Sequence, residues 1–168
     1  MKAFMKTGHS SAVGKIRLGV LAGVAGVSLS VCAFGEAPPP GPAYPPIVEA
    51  KVAEARQSVR TVDMAGFRKI VDDRGDRLII DVREPEEFAA GHVPGAIHIP
   101  RGILEFRIWK YVGFPDEPNM GTPIYLYCGS GSRCSLAEKS LQDLGFTRVT
   151  AVIMRLEDWR KAGFPLVR

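Results

Sequence analysis

The stretch that decides the fold is an apolar run followed by a cysteine, a turn of small residues and an arginine. It reads Ile124-Tyr125-Leu126-Tyr127-Cys128-Gly129-Ser130-Gly131-Ser132-Arg133. The apolar run predicts a buried strand, and the apolar spacing from Leu136 to Leu144 predicts a helix that begins at the end of the turn. Cys128 therefore lies where a strand gives way to a helix, which is where α/β sheets bind their ligands.

The turn after Cys128 has the composition of an anion-binding loop. Its four residues are Gly129, Ser130, Gly131 and Ser132. Small residues let backbone N–H groups approach a ligand, and these groups together with a helix N-terminus attract negative charge. The same groups would lower the pKa of the Cys128 thiol. Arg133 adds a planar cation that suits an oxyanion, so the sequence predicts an anion site around a reactive cysteine.

The rest of the chain alternates between strand-like and helix-like segments. Strands are predicted over 59–62, 78–82, 96–99, 124–127 and 149–153, and further helices over 47–57, 64–71, 85–88, 103–111 and 156–162. Asp63 is expected to cap the second of these helices. Strands that alternate with helices predict an α/β fold, a doubly wound parallel sheet with helices on both faces.

Several groups of residues, taken in chain order, resemble the rhodanese-like sulfurtransferase family. They are Asp81-Val82-Arg83-Glu84, then Glu87-Phe88-Ala89-Ala90-Gly91-His92-Val93-Pro94-Gly95-Ala96-Ile97-His98-Ile99-Pro100, then the Cys128 loop, and finally Trp159, Gly163 and Pro165. The resemblance covers roughly residues 57 to 168, which is one whole domain. Four residues separate Cys128 from Arg133, which resembles the sulfurtransferase loop rather than the longer loop of related phosphatases.

The resemblance implies a rhodanese-like sheet and sulfur transfer through a persulfide on Cys128. The residues it implicates are Cys128 and Arg133 in catalysis, Gly129, Ser130, Gly131, Ser132 and Cys134 in the substrate-binding loop, and Asp81 and Arg83 as braces of neighbouring loops. The implied donor is a small anion such as thiosulfate, or a persulfide. The implied acceptor is a thiol, cyanide in an assay, or a sulfur-accepting protein. No cofactor and no metal is expected, since no Cys/His spacing indicates a metal site.

Two alternatives to a catalytic sulfurtransferase remain open. The protein could be a persulfide carrier or binding module with little turnover, or a dithiol redox protein that uses Cys128 and Cys134. The family commonly has a hydroxyl or small residue where Cys134 stands, so this thiol is interpreted either as a serine substitute or as a resolving thiol. Met154-Arg155 is a second departure, because the family usually has Gly-Gly before the tryptophan. This difference changes the pocket wall that the family leads us to expect.

The N-terminal segment of the chain predicts export. Residues 1–35 combine a basic start with the apolar, uncharged stretch from Leu18 to Phe34, which is typical of a signal peptide cleaved near Ala33 or Gly35. An uncleaved membrane anchor and a lipoprotein attached through Cys32 are the less favoured alternatives. Residues 36–46 are a proline-rich linker, and 47–168 are the domain with an N-terminal accessory helix. The expected location is the periplasm.

The charge distribution gives no reason to expect nucleic-acid binding. Residues 1–33 hold four of the 22 Lys and Arg residues and no acidic residue. The remainder has 18 basic and 18 acidic residues, so the basic character of the chain belongs mainly to the predicted targeting segment.

Overall fold

The predicted strands pair into one parallel sheet in the computed structural model, which describes residues 44–73 and 75–168. The strands are β1 (Thr61–Asp63), β2 (Leu78–Asp81), β3 (Ile97–His98), β4 (Ile124–Tyr127) and β5 (Val149–Ile153). Their order across the sheet is β1-β5-β4-β2-β3, and each neighbouring pair is parallel. The prediction of a doubly wound α/β sheet is confirmed. The first strand begins two residues later than predicted.

Helices cover both faces of this sheet. They are α1 (Pro46–Ser58), α2 (Met64–Asp72), α3 (Pro85–Ala89), α4 (Leu104–Arg107), α5 (Ser132–Asp143) and α6 (Leu156–Lys161). Asp63 caps α2 as predicted, because its Oδ1 accepts a hydrogen bond of 2.8 Å from the Gly66 N–H. The single helix predicted over 103–111 is wrong in its continuity, since α4 is flanked by two 3₁₀ turns. Branched and aromatic residues, which are weak helix formers, dominate the second turn from Ile108 to Tyr111.

Alternate residues of the central strands pack into two separate cores. Ile80, Leu126 and Ala151 point to the face covered by α4 and α5. Ile79, Tyr127 and Val152 point to the opposite face, which α2 and α6 cover. Because both faces of the strands are buried, their sequences are continuous apolar runs rather than alternating ones. Cys128 continues the alternation and so faces α5.

The accessory helix α1 packs against α5. Val52 and Ala55 are buried in this contact, whereas Val48, predicted on the same face, is 37% exposed. The helix begins at Pro46, one residue earlier than the predicted boundary, and proline is well tolerated in the first turn. The predicted signal peptide and most of the predicted linker lie outside the described residues. Within the described part of the chain, no helix has the length and apolar character needed to cross a membrane.

Candidate active-site loop

The Cys128 loop lies at the carboxyl end of β4, between the neighbouring strands β5 and β2. Cys128 directly follows β4, and α5 begins at Ser132. Gly131 has a φ of +84°, a left-handed conformation that side chains disfavour, so a glycine is needed at this turn. The sequence therefore folds here as predicted, into a tight connection between a buried strand and a helix N-terminus.

Cys128 is buried and surrounded by hydrogen-bond donors. The residue is only 1% exposed, and its Sγ accepts a hydrogen bond of 3.2 Å from the Gly131 N–H. The neighbouring Cys134 thiol, together with the backbone N–H groups of Ser130, Cys134 and Gly131, lowers the pKa of Cys128 to about 5, against the opposing effect of burial. At neutral pH the group is therefore a thiolate, which is the nucleophilic form of cysteine.

Cys134 is fully buried in the first turn of α5, beside Cys128. Its Sγ lies 3.3 Å from the carbonyl oxygens of both Gly131 and Val152, either of which can accept the single thiol proton when that proton is not directed to Cys128. The adjacent Cys128 thiolate, followed by burial, raises the pKa of Cys134 well above its usual value. Both cysteines are free. Cys134 thus stays protonated while Cys128 is ionised.

Arg133 is paired with a carboxylate of the chain itself. Its Nη1 and Nη2 donate to the two carboxylate oxygens of Glu87 at 2.6 and 2.8 Å, and Nη1 lies 3.8 Å from Glu84. The Arg133 guanidinium lowers the pKa of Glu87. The guanidinium donors that the sequence assigns to a substrate anion are therefore bound to Glu87 of α3. Glu87 stands in the first turn of a short helix that begins with Pro85.

Asp81 and Arg83 form a buried ion pair below the loop. The Arg83 Nη2 donates to Asp81 Oδ2 at 2.6 Å and to the Gly91 carbonyl at 2.8 Å. The His98 Nε2 also contacts the Arg83 carbonyl at 2.9 Å. These contacts join the end of β2 to the turn at Gly91 and to β3. That Asp81 and Arg83 brace neighbouring loops, as the resemblance implies, stays a prediction.

Met154 and Arg155 occupy the place where the family usually has two glycines. Met154 is 7% exposed and packs into the core around Trp159, whereas Arg155 is exposed with its Nη2 3.5 Å from Glu157. The next residue, Leu156, donates its N–H to the Gly129 carbonyl at 3.0 Å. The start of α6 therefore supports the Cys128 loop through the backbone, and the Met154 side chain is directed into the core.

Sequence reasoning missed two polar residues near the loop. Glu138 is fully buried in α5 and accepts hydrogen bonds from the N–H groups of Arg60 (2.7 Å) and Ala151 (3.2 Å). Burial raises its pKa to about 7. Its position one helical turn after Cys134 could have identified it as an inward residue. Arg56 of α1 is the second, and its Nε donates to Ser135 Oγ at 3.3 Å.

Comparison with known proteins places the chain in a family. The family model described as "Rhodanese-like domain" matches residues 64–162. The chain therefore belongs to the rhodanese-like domain family.

Named relatives and a solved structure agree with this assignment. A Bacillus subtilis protein named as a sulfur carrier, YrkF, is 34% identical over 107 residues, which are 64% of this chain and 54% of that protein. The chain thus spans about half the length of this relative. A sulfurtransferase of Allochromatium vinosum is 28% identical over 109 residues, covering 65% of this chain and 95% of that protein. The solution structure of a homodimeric polysulfide-sulfur transferase from Wolinella succinogenes is 25% identical, with a TM-score of 0.59 over 72% of this chain and 87% of that one.

Proposed function

We propose that the protein is a sulfurtransferase in which Cys128 carries the transferred sulfur as a persulfide. The observation that carries the proposal is the Cys128 thiolate, whose pKa is lowered to about 5 at the centre of a ring of N–H donors. The names of relatives, a sulfurtransferase and a sulfur carrier, support sulfur transfer in general as the chemistry. Thiosulfate is the small anionic donor that we propose.

In the first step, the Cys128 thiolate attacks the outer sulfur of thiosulfate. A sulfur–sulfur bond forms to Cys128 while the sulfur–sulfur bond of thiosulfate breaks, and the electron pair of that bond leaves with sulfite. The charges balance, since a thiolate and a dianion become a persulfide anion and a sulfite dianion. No general base is needed, because the thiol is already ionised at neutral pH.

In the second step, an acceptor thiolate or cyanide attacks the terminal sulfur of the persulfide. The bond between the two sulfurs breaks, and its electron pair returns to Cys128 as the thiolate. A thiolate of low pKa is a good leaving group, so the same N–H donors that ionise Cys128 also assist its release. The N–H groups of Ser130 and Gly131 stabilise the negative sulfur at both stages.

Arg133 contributes chiefly by holding the loop in shape. Its bidentate contact with Glu87 ties the first turn of α5 to α3. Asp81 and Arg83 brace the adjoining turn in the same way, through the contact to Gly91. We therefore assign these residues to positioning, with Cys128 as the group that reacts and Gly129 to Ser132 as the surrounding loop.

A second candidate function is a persulfide carrier that delivers sulfur to a partner with little turnover. The name of the sulfur carrier YrkF favours it, since this relative is similar over 64% of the chain. The two functions differ in rate rather than in the intermediate. A dithiol redox protein is a third candidate, and the proximity of the Cys134 thiol to Cys128 supports it.

Steady-state kinetics test the proposal and separate these candidates. Thiosulfate and cyanide are supplied, and thiocyanate and sulfite are measured for the parent, Cys128→Ser and Cys134→Ser proteins. A sulfurtransferase forms both products in equal amounts at many turnovers, and Cys128→Ser abolishes both. Less than one turnover with cyanide, together with rapid sulfur transfer to a thiol protein, would favour the carrier. Loss of turnover under reducing conditions in both Cys128→Ser and Cys134→Ser would favour dithiol chemistry.

We further propose that the protein acts in the periplasm after removal of residues 1–35. The basic start and the apolar stretch of that segment support this location. N-terminal sequencing of protein from its native host tests it. A start near residue 34 or 36 is expected, an intact Met1 would contradict cleavage, and a lipid on Cys32 would identify a lipoprotein.

A further inference from the structure

A cleft of about 410 Å³ separates α1 from the Cys128 loop. Val52, Ala53 and Arg56 line it from α1, and Ser130 and Ser132 line it from the loop. Part of the wall therefore belongs to the loop that surrounds the reactive sulfur. The other part comes from a helix that precedes residues 64–162, the region matched by the family model.

The Arg56 guanidinium lies in this cleft, close to the backbone of the Cys128 loop. A Cβ built on Gly131 would lie 3.3 Å from the Arg56 Nη2, so the guanidinium occupies the space that a side chain at position 131 would take. The Gly131 N–H is itself a donor to Cys128 Sγ. Gly131 thus serves two purposes, since it adopts the left-handed turn and lets a positive charge approach the loop backbone.

The two arginines at the loop differ in their partners. Arg133 has its charge matched by Glu87 at 2.6 and 2.8 Å. Arg56 donates to the neutral Ser135 hydroxyl, and within residues 44–73 and 75–168 it makes no salt bridge with a carboxylate. Arg56 is exposed. It therefore retains N–H donors and a net positive charge for a ligand that enters the cleft.

We propose that Arg56 binds the anionic group of the sulfur donor and so directs small anions such as thiosulfate to Cys128. This inference rests on the proposed sulfurtransferase function and deepens it by assigning the donor-binding cation. The Ser130 and Ser132 side chains, which share the cleft, provide hydroxyl donors for the remaining oxygens of a sulfonate group. Glu49 lines the same cleft, and its carboxylate opposes anion binding at that end of the cleft.

The test is the kinetics of Arg56→Ala and Arg56→Lys, with Lys51→Ala as the matched control. Lys51 lies on the same helix and is paired with Glu54, so its removal changes the net charge equally without touching the cleft. Arg56→Ala should raise the KM for thiosulfate roughly five- to tenfold, which is the order expected for a charged hydrogen bond that is open to solvent. Its kcat should stay within about twofold, because Arg56 binds the donor and leaves the sulfur chemistry to the loop.

Four readouts separate binding from a structural effect. The KM of Arg56→Lys for thiosulfate should lie between those of Arg56→Ala and the parent, and Lys51→Ala should have the parent KM. The Cys128 persulfide should still form in Arg56→Ala at saturating thiosulfate. Added salt should raise the KM of the parent more steeply than that of Arg56→Ala, since screening acts on the removed charge. An Arg56→Ala protein with the parent KM and the parent salt dependence would overturn the proposal.

A direct binding measurement distinguishes failure of this inference from failure of the proposed function. Thiosulfate is titrated calorimetrically into Cys128→Ser and into the Cys128→Ser/Arg56→Ala double variant, where no sulfur transfer can occur. Weaker binding to the double variant supports the anion site even if the parent shows no turnover. Equal binding to both proteins rejects Arg56 as the donor-binding residue even if the parent is an active sulfurtransferase.

Discussion

Arg133 and Glu87 form a two-pronged ion pair, with N···O distances of 2.6 and 2.8 Å, that joins the first turn of α5 to α3. An arginine that ends a cysteine loop is easily assigned to the substrate. Here the Arg133 guanidinium is already paired with a carboxylate of the same domain, so its charge holds the loop in place. Arg56 of the accessory helix also reaches the loop, and among the described residues it forms no salt bridge with a carboxylate.

The first prediction follows from this ion pair. Arg133→Ala should lower kcat/KM for thiosulfate by about tenfold, and Glu87→Gln should produce most of the same loss, because each removes the same contact. The double variant should therefore be little worse than either single variant. A double-mutant cycle of kcat/KM measures the coupling. The exposed pair Lys161 and Glu157 is the control cycle, for which we expect no effect on activity. If the free-energy losses in kcat/KM of the Arg133 and Glu87 variants simply add in the double variant, Arg133 acts on the substrate independently of Glu87.

The second prediction concerns the pH dependence of Cys128. Since its pKa is lowered to about 5, the ultraviolet absorbance of the thiolate should appear with a midpoint near pH 5 and be absent from Cys128→Ser. The rate of persulfide formation should rise over the same range and then stay level. The ionised thiol also stabilises the fold, because an unfolded cysteine has a pKa of about 8.5. This stability is fully present above about pH 8.5 and is lost as the pH falls towards 5. A thiolate midpoint above pH 8 would contradict the account of the loop.

The third prediction concerns Cys134, whose thiol is the largest cause of the lowered pKa of Cys128. Cys134→Ser keeps a donor in place, so most sulfurtransferase activity should remain. Cys134→Ala removes the donor and should raise the pKa of Cys128, shifting the thiolate midpoint to higher pH. Thiolate titrations of the two variants make this comparison. The same midpoint in both would mean that the Cys134 proton does not act on Cys128.

Mild oxidation gives Cys134 a separate test. The two free thiols are neighbours, so we expect the parent to lose activity and two titratable thiols together, and Cys134→Ser to be less sensitive. Activity and thiol counts are measured before and after treatment. Identical sensitivity in both proteins would remove the redox role and leave Cys134 as a hydrogen-bond donor.

The fourth prediction concerns Glu138, whose pKa burial raises to about 7. The folded protein then holds a proton that the unfolded chain releases near pH 4.3, so this group makes the fold less stable as the pH rises from about 4.3 to 7. Glu138→Gln removes this dependence. The free energy of unfolding of the variant relative to the parent should therefore rise across that range, by on the order of 3–4 kcal/mol. Denaturant unfolding at several pH values measures it, and a constant difference between the two proteins would contradict the raised pKa.

Much of the fold could be predicted from the sequence because the signals were local. The apolar runs of β2, β4 and β5 ended close to where the strands end, and Asp63 capped α2 through a contact only three residues away. The Cys128 turn was recognisable because its glycine and its helix start are adjacent in the chain. The interrupted helix around α4 was not predicted, since its apolar spacing is helical while its continuity depends on weak helix formers.

The partners of the site residues could not be predicted because they are distant in sequence. Glu87 reaches Arg133 across 46 positions, and Arg56 reaches Ser135 across 79. No periodicity or spacing in the sequence indicates which arginine forms an ion pair with a carboxylate and which does not. That distinction, which separates the two arginines at the loop, arises only in the folded domain, where α1 packs against α5 and Glu87 of α3 reaches Arg133.

The central claim, that Cys128 carries the transferred sulfur, is tested most directly by the mass of the intact protein after exposure to thiosulfate. The account predicts a gain of one sulfur atom, located on the peptide that contains Cys128 and removed by cyanide with formation of thiocyanate. Cys128→Ser should show no gain, whereas Cys134→Ser should show it. A parent protein that turns over thiosulfate without gaining this mass, or a Cys128→Ser protein that still gains it, would contradict the claim.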